Sequence, residues 1–186
     1  MTSQFSFKNY YTFLSLILLV SISLVSYVSY AHADNPNSPS IFLKIDGVYS
    51  GSKNPNHKDD FEVSSFNWEM SNKAIVMGGG GGGGKATFGD FQLTLKATKA
   101  SPSFLVKSAS GEHIKQATLF VEQDGVVAKW NLQDILITSY KTSGADSDES
   151  ATDQLSLNFA KISMEYLDNG ISSKGGWDIK SNQKWQ

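Results

Sequence analysis

The feature that most limits what this chain can fold into is a period of two. From Ile41 to Tyr166 the apolar side chains fall on alternate residues in short runs, separated by stretches rich in Gly, Pro, Asn and Asp. Such alternation lays one face of an extended strand on a core and leaves the other in water. Ile41, Leu43 and Ile45 against Lys44 and Asp46 predict a first strand over Ile41–Asp46, and the polar stretch Gly47–Asp60 predicts a long loop. The run Phe61–Met70 starts with apolar residues at odd positions (Phe61, Val63) and continues at even ones (Phe66, Trp68, Met70). A strand cannot change face without an extra residue, so a bulge is predicted near Ser64-Ser65. Phe91, Leu93 and Leu95 give a third strand, and Ala117, Leu119 and Val121 a fourth. Asp124-Gly125 is a tight-hairpin signal, and Val126–Tyr140 holds one or two strands around Trp130, Leu132, Ile135 and Ile137. Lys141–Asp153 reads as a polar, acidic loop. Leu155, Leu157 and Phe159, then Ile162, Met164 and Tyr166, predict one long strand with a second face switch near Ala160-Lys161. The tail from Asp168 to Gln186 has room for one more edge strand. A single helix of about two turns is expected between Ser101, taken as N-cap before Pro102 at the first helical position, and Gly111 as the C-terminal stop. Strands at this spacing around one helix predict a mainly β protein. The expected fold is a compact β-barrel or two-sheet sandwich with one short flanking α-helix.

The first residues do not fit this pattern. Phe13–Tyr30 is apolar and serine-containing without a charge, Lys8 is the only charge before Asp34, and Ala31-His32-Ala33 follows as a small–x–small site. These are the parts of a secretory signal peptide, with cleavage expected between Ala33 and Asp34. The alternative is a retained anchor, because the stretch is just long enough to span a bilayer. The domain reading is therefore a signal peptide at 1–33, a flexible leader at 34–40 and a β domain at 41–186. Export to the periplasm or beyond is expected, with membrane contact only through the signal peptide. The domain lacks cysteine altogether, so it must hold together in an oxidising compartment by its core alone.

Composition closes several routes to function. Without Cys there are no thiolate metal sites, Fe–S clusters or cysteine nucleophiles. All 16 basic residues are Lys, against 18 acidic ones, for a net charge of −2. That balance gives no reason to approach nucleic acid, and the absence of Arg removes the fork that reads phosphate and guanine. Gly79–Lys85 almost spells a phosphate-binding loop within the seven glycines Gly78–Gly84. It fails at Ala86, where Ser or Thr must reach Mg²⁺, and because Thr87–Leu95 reads as strand where a helix is needed. His57 sits beside Lys58, Asp59 and Asp60, and His113 follows the helix stop. Neither has a nucleophile elbow or metal-ligand spacing nearby. Asp146, Asp148, Glu149 and Asp153 lack the glycine and closing Glu of a calcium loop. Trp68 and Trp130 lie on apolar phases, which leaves Trp177 and Trp185 as the tryptophans available to the surface. No catalytic residue, cofactor or metal is expected, and the protein reads as no enzyme.

Four blocks carry a resemblance: IFLKIDGV (41–48), HKDDFEVSSFNWEMS (57–71), KASPSFLVKSASGEHIKQATLFV (99–121) and LSLNFAKISMEY (155–166), with GWDIKSNQK in the tail. Together they resemble Hcp, the haemolysin-coregulated protein family that forms the tube of type VI secretion. The resemblance implies a β-barrel-like fold with one flanking helix and no active site. It also implies self-association into hexameric rings that stack into a tube with effectors in the lumen, pushed out by a contractile apparatus. It makes the Tyr49–Asp60 segment the family's extended loop, with Lys53, His57, Lys58, Asp59 and Asp60 as candidate ring-stacking residues. Two features depart from the family: tube proteins load from the cytoplasm without a signal peptide, and the seven glycines are long for an ordered contact. The alternative reading is an exported Hcp-like binding module for a glycan or protein ligand, acting outside a contractile apparatus.

Overall fold

The computed structural model describes residues 38–72, 85–146 and 150–185. The expected signal peptide with its Ala33–Asp34 junction, most of the leader, the seven glycines and Asp148 and Glu149 lie outside the described residues. Along the chain run β1 (Ser40–Ile45), β2 (Phe61–Asn67), β3 (Met70–Asn72), β4 (Ala86–Phe88), β5 (Phe91–Lys96), α1 (Ser101–Ser110), β6 (Ile114–Gln123), β7 (Val126–Ser143), β8 (Thr152–Asp168), β9 (Ile171–Asp178) and β10 (Gln183–Lys184). Six strands close on themselves in the order β8-β5-β2-β1-β6-β7 and back to β8, with every pairing antiparallel. Closure satisfies the backbone groups that an open sheet would leave bare. β9 and β10 extend the sheet from β8, while β3 and β4 form a separate two-stranded ribbon. The length of β8 follows from its neighbours. One edge pairs with β7 from Thr152 to Leu167; the other is shared between β5 (Thr152–Leu157) and β9 (Lys161–Asp168).

The predicted face switches are present. The β2–β5 register shifts between Val63 and Ser65, so Phe61 and Val63 enter the core and Phe66 then packs against it. On β8, Phe159 and Ile162 both point inward. β7 makes the same change at the same level: Leu132 and Ile135 are both core residues around Asp134, whose φ is 53°. Because both strands switch together, the pairs Leu132↔Ile162 and Ile135↔Phe159 keep one register. Asp124-Gly125, with φ of 51° and 83°, turns β6 into β7 in the left-handed geometry that two-residue hairpins need. Inside the barrel, Leu95, Phe104, Ile135 and Leu157 are completely buried, each burial worth about 1.5–3 kcal/mol.

Four local readings are corrected. Ser101 is the first residue of α1 rather than its cap; Ala100 holds the N-cap position without a side-chain bond. The Ser101 hydroxyl is occupied elsewhere, donating to Asp153, a fully buried carboxylate that also accepts the Tyr140 hydroxyl at 3.0 Å. The expected loop Lys141–Asp153 is strand at both ends, since β7 runs to Ser143 and β8 starts at Thr152. The stretch Thr87–Leu95 is two strands, broken at Gly89-Asp90 where the Gly89 N–H bonds back to Glu69. The tail contributes two strands, the first entered through Asn169-Gly170 with φ of 47° and 81°.

Candidate functional site

The loop between β1 and β2 is ordered by its own polar residues. Ser50 donates its N–H to Asp59 and Asp59 returns one to Ser52, at 3.0 and 3.1 Å. Side chains cap the successive turns: Ser50 accepts from Ser52, Ser52 from Asn54, and Asn54 from Asn56 and His57. Short polar side chains that bond the backbone two or three residues on make this kind of compact turn series. Asp59 supports the tight return with φ of 64°.

His57 pins that loop to the barrel. Its ring stacks on Phe42 with centroids 3.9 Å apart and planes within 8°, and meets the edge of Phe120 at 5.2 Å. Phe42 and Phe120 are cross-strand partners on β1 and β6, on the phase opposite the core residues Leu43 and Leu119. They are outward aromatics that need a cover. Nδ1 of His57 lies 3.0 Å from Asp60 and Nε2 lies 3.2 Å from Glu122. His57 and Asp60 are each only 6% exposed.

The five loop residues therefore divide. His57 and Asp60 face the barrel, Lys53 and Lys58 are exposed, and Asp59 is half-buried. The exposed charges of the five are the two lysines, with Asp59 partly accessible beside Lys58.

The ring nitrogens of the two described histidines meet carboxylates. His57 has a carboxylate at each ring nitrogen, and His113 pairs its Nδ1 with Asp134 at the surface. Among the described residues, neither imidazole is hydrogen-bonded to a hydroxyl, and no group of three or more His, Asp or Glu is placed to hold a metal ion. No helix among the described residues is long and apolar enough to cross a membrane. The two tryptophans left to the surface are both half-buried: Trp177 lines a cavity, and Lys161 sits 5.8 Å over the Trp185 ring.

Among the described residues, Tyr140 and Asp178 carry shifts. Burial, then the hydrogen bond to Asp153, raises the Tyr140 phenol above its ordinary value. The Ser181 N–H, helped by Lys161, lowers the Asp178 carboxyl below the usual range. Both act in the frame, at α1 and at the β9–β10 turn.

The unfinished parts of the surface are apolar or strand-edged. β9 pairs with β10 at Trp177 and Asp178, and Gly176 accepts the Trp185 N–H at 3.0 Å, so its outer edge carries no strand from Ile171 to Gly175 among the described residues. Ile171 is 77% exposed there, and α1 exposes Leu105 and Val106.

The family model for the type VI secretion system effector Hcp matches residues 42–166. Protein hcp1 of Pseudomonas aeruginosa is 30% identical over 155 residues, covering 76% of this chain and 96% of that protein. The crystal structure of Hcp1 from Salmonella typhimurium aligns with a TM-score of 0.69 at 27% identity, covering 80% of this chain and 99% of its own. A type VI secretion system effector from Yersinia pestis shares the fold with a TM-score of 0.62 at 24% identity, covering 74% of this chain and 98% of its own. The matched span runs from within β1 to within β8 and so touches all six strands of the closed barrel, and the chain belongs to the Hcp family of type VI secretion proteins.

Proposed function

We propose that this protein is a non-catalytic structural subunit that closes into hexameric rings, stacks them into tubes and carries small effectors in the lumen alongside other components of the secretion apparatus. The observation that carries the reading is the outer edge of β9, without a strand partner from Ile171 to Gly175 among the described residues, beside an exposed Ile171. A bare edge next to apolar surface favours strand addition by a neighbour, and a ring repeats that contact until it closes. Stacking is a separate contact. It is assigned to the loop that exposes Lys53 and Lys58, where each surface ion pair is worth only about 0–1 kcal/mol but recurs around the ring. Residues 1–33 are read as the export signal, and an intact mass beginning at Asp34 supports that while one retaining Met1 overturns it.

Negative-stain imaging at low and high salt tests the division of labour. Rings are expected to persist in salt, while stacks shorten because exposed charge pairs are screened. A double variant, Lys53→Glu with Lys58→Glu, is expected to lose stacks and keep rings. Loss of the rings themselves on charge reversal would overturn the assignment.

A further inference from the structure

Strand addition at β9 carries a register problem. Where one face of a strand is buried, side chains fix which residue meets which; polar and glycine-rich strands slip. β9 is of the second kind. Ile171, Ser172, Ser173, Lys174 and Gly175 are all exposed, and at Gly175 an added Cβ would meet nothing within 4 Å. A slip of two residues returns every side chain to its own face, so alternation does not oppose it. It still moves the neighbour by about 7 Å along the strand. A ring cannot absorb that error, because a head-to-tail contact that does not close on itself grows into an open filament.

The rest of the edge is already filled. Exposure drops at Gly176, Trp177 and Asp178, where the tail doubles back as β10. Gln183 pairs with Asp178 and Lys184 with Trp177, and Trp185 donates its N–H to the Gly176 carbonyl at 3.0 Å. The fit is close: a Cβ at Gly176 would lie 2.3 Å from the Trp185 carbonyl oxygen. Side chains hold the turn as well. Asp178 accepts the Ser181 N–H at 2.9 Å and meets Lys161 of β8 at 3.2 Å. The same ammonium lies 5.8 Å from the Trp185 ring centroid. All of this anchors a strand of two residues, shorter than strands usually are. What so short a strand does well is end a neighbour's access to the edge.

We propose that β10 is a register stop: it occupies the hydrogen-bonding edge of β9 from Gly176 to Asp178, so an incoming strand of a second copy ends at Gly175 and meets β9 in one register. The stop rests on the reading of β9 as the ring contact, and adds what fixes the geometry of that contact.

Light scattering and negative-stain imaging of the full chain test this with two substitutions. Trp185→Pro removes the N–H that bonds Gly176 and the ring beside Lys161, and so releases β10. Trp185→Phe keeps an N–H and a ring. Wild type and Trp185→Phe are expected to give one particle mass. Trp185→Pro should lose that single peak to a mixture of closed rings and open chains, with a melting temperature near wild type. A folded Trp185→Pro that gives only the wild-type particle, or only single subunits, overturns the stop. Equal broadening by Trp185→Phe also overturns it, by assigning the effect to the indole. If Trp185→Pro does not fold, hydrogen exchange of wild type decides. The Trp185 amide should be equally protected in assembled and dissociated protein, while amides of Ser172 to Gly175 gain protection only on assembly. Loss of protection at Trp185 on assembly would show β10 displaced by the neighbour and overturn the stop. Wild type that stays at single-subunit mass overturns the ring reading itself and the stop with it, an outcome visible before any variant is made.

Discussion

Replacing His57 with Ala should release the β1–β2 loop without unfolding the barrel. The substitution removes the stack on Phe42 and the edge contact with Phe120, each worth about 0.5–1.5 kcal/mol. It also leaves the Asp60 carboxylate, 9% exposed, without the imidazole 3.0 Å away. A buried polar group stripped of its partner costs about 1–3 kcal/mol. Relaxation of a loop recovers part of the total, so about 3 kcal/mol of loop stability is the expected loss. Every 1.4 kcal/mol is a factor of ten, so hydrogen exchange should speed up about a hundredfold at the loop amides of Ser50, Asp59 and Asp60. These three donate the backbone bonds that close the loop. Amides of β5 and β8, which pair with each other away from the loop, should exchange as in the wild type. Unchanged exchange in the loop would refute the latch. An equal acceleration across β5 and β8 would refute it differently, by making His57 part of the barrel's global stability.

Two further outcomes follow from the buried Asp153. Asp153→Ala strands the hydroxyls of Ser101 and Tyr140 that now bond it, and should cost about 3 kcal/mol in urea unfolding, with Asp153→Asn recovering part by keeping an acceptor. Because the Tyr140 phenol is raised by burial and by Asp153, the folded state favours its protonated form. The associated stability is complete below the ordinary tyrosine value near pH 10 and is lost as pH rises through the raised one. Urea midpoints measured across that alkaline window should fall in the wild type and flatten in Tyr140→Phe.

Much of the frame was legible because it rests on side-chain phase. Ser64-Ser65 had to hold an extra residue once Phe61 and Phe66 both needed the core, and the same logic located the switch between Phe159 and Ile162. The matching switch on β7 was hidden, since Asp134 achieves it with a left-handed backbone that no alternation pattern announces. Asn169-Gly170 was a hairpin signal of the strongest kind, and reading the tail as one edge strand passed over it. Ser101 misled as a cap because its hydroxyl is claimed by Asp153, distant in sequence and buried inside the fold.

The candidate site was less legible. A run as polar as Gly47–Asp60 reads as exposed, yet His57 and Asp60 are buried. The signal that was available lay outside the loop: Phe42 and Phe120 occupy the polar phases of their strands, and two outward aromatics on neighbouring strands call for a cover. The stop on β9 had no linear signature, because Gly176 and Trp185 meet only where the tail doubles back.

The central claim is that the bare β9 edge and the apolar surface around it are completed by other copies of the same chain. Light scattering coupled to size exclusion, run at high protein concentration and high salt, measures this directly. The account predicts a particle with six times the subunit mass that survives the salt. A particle of single-subunit mass under those conditions would contradict it.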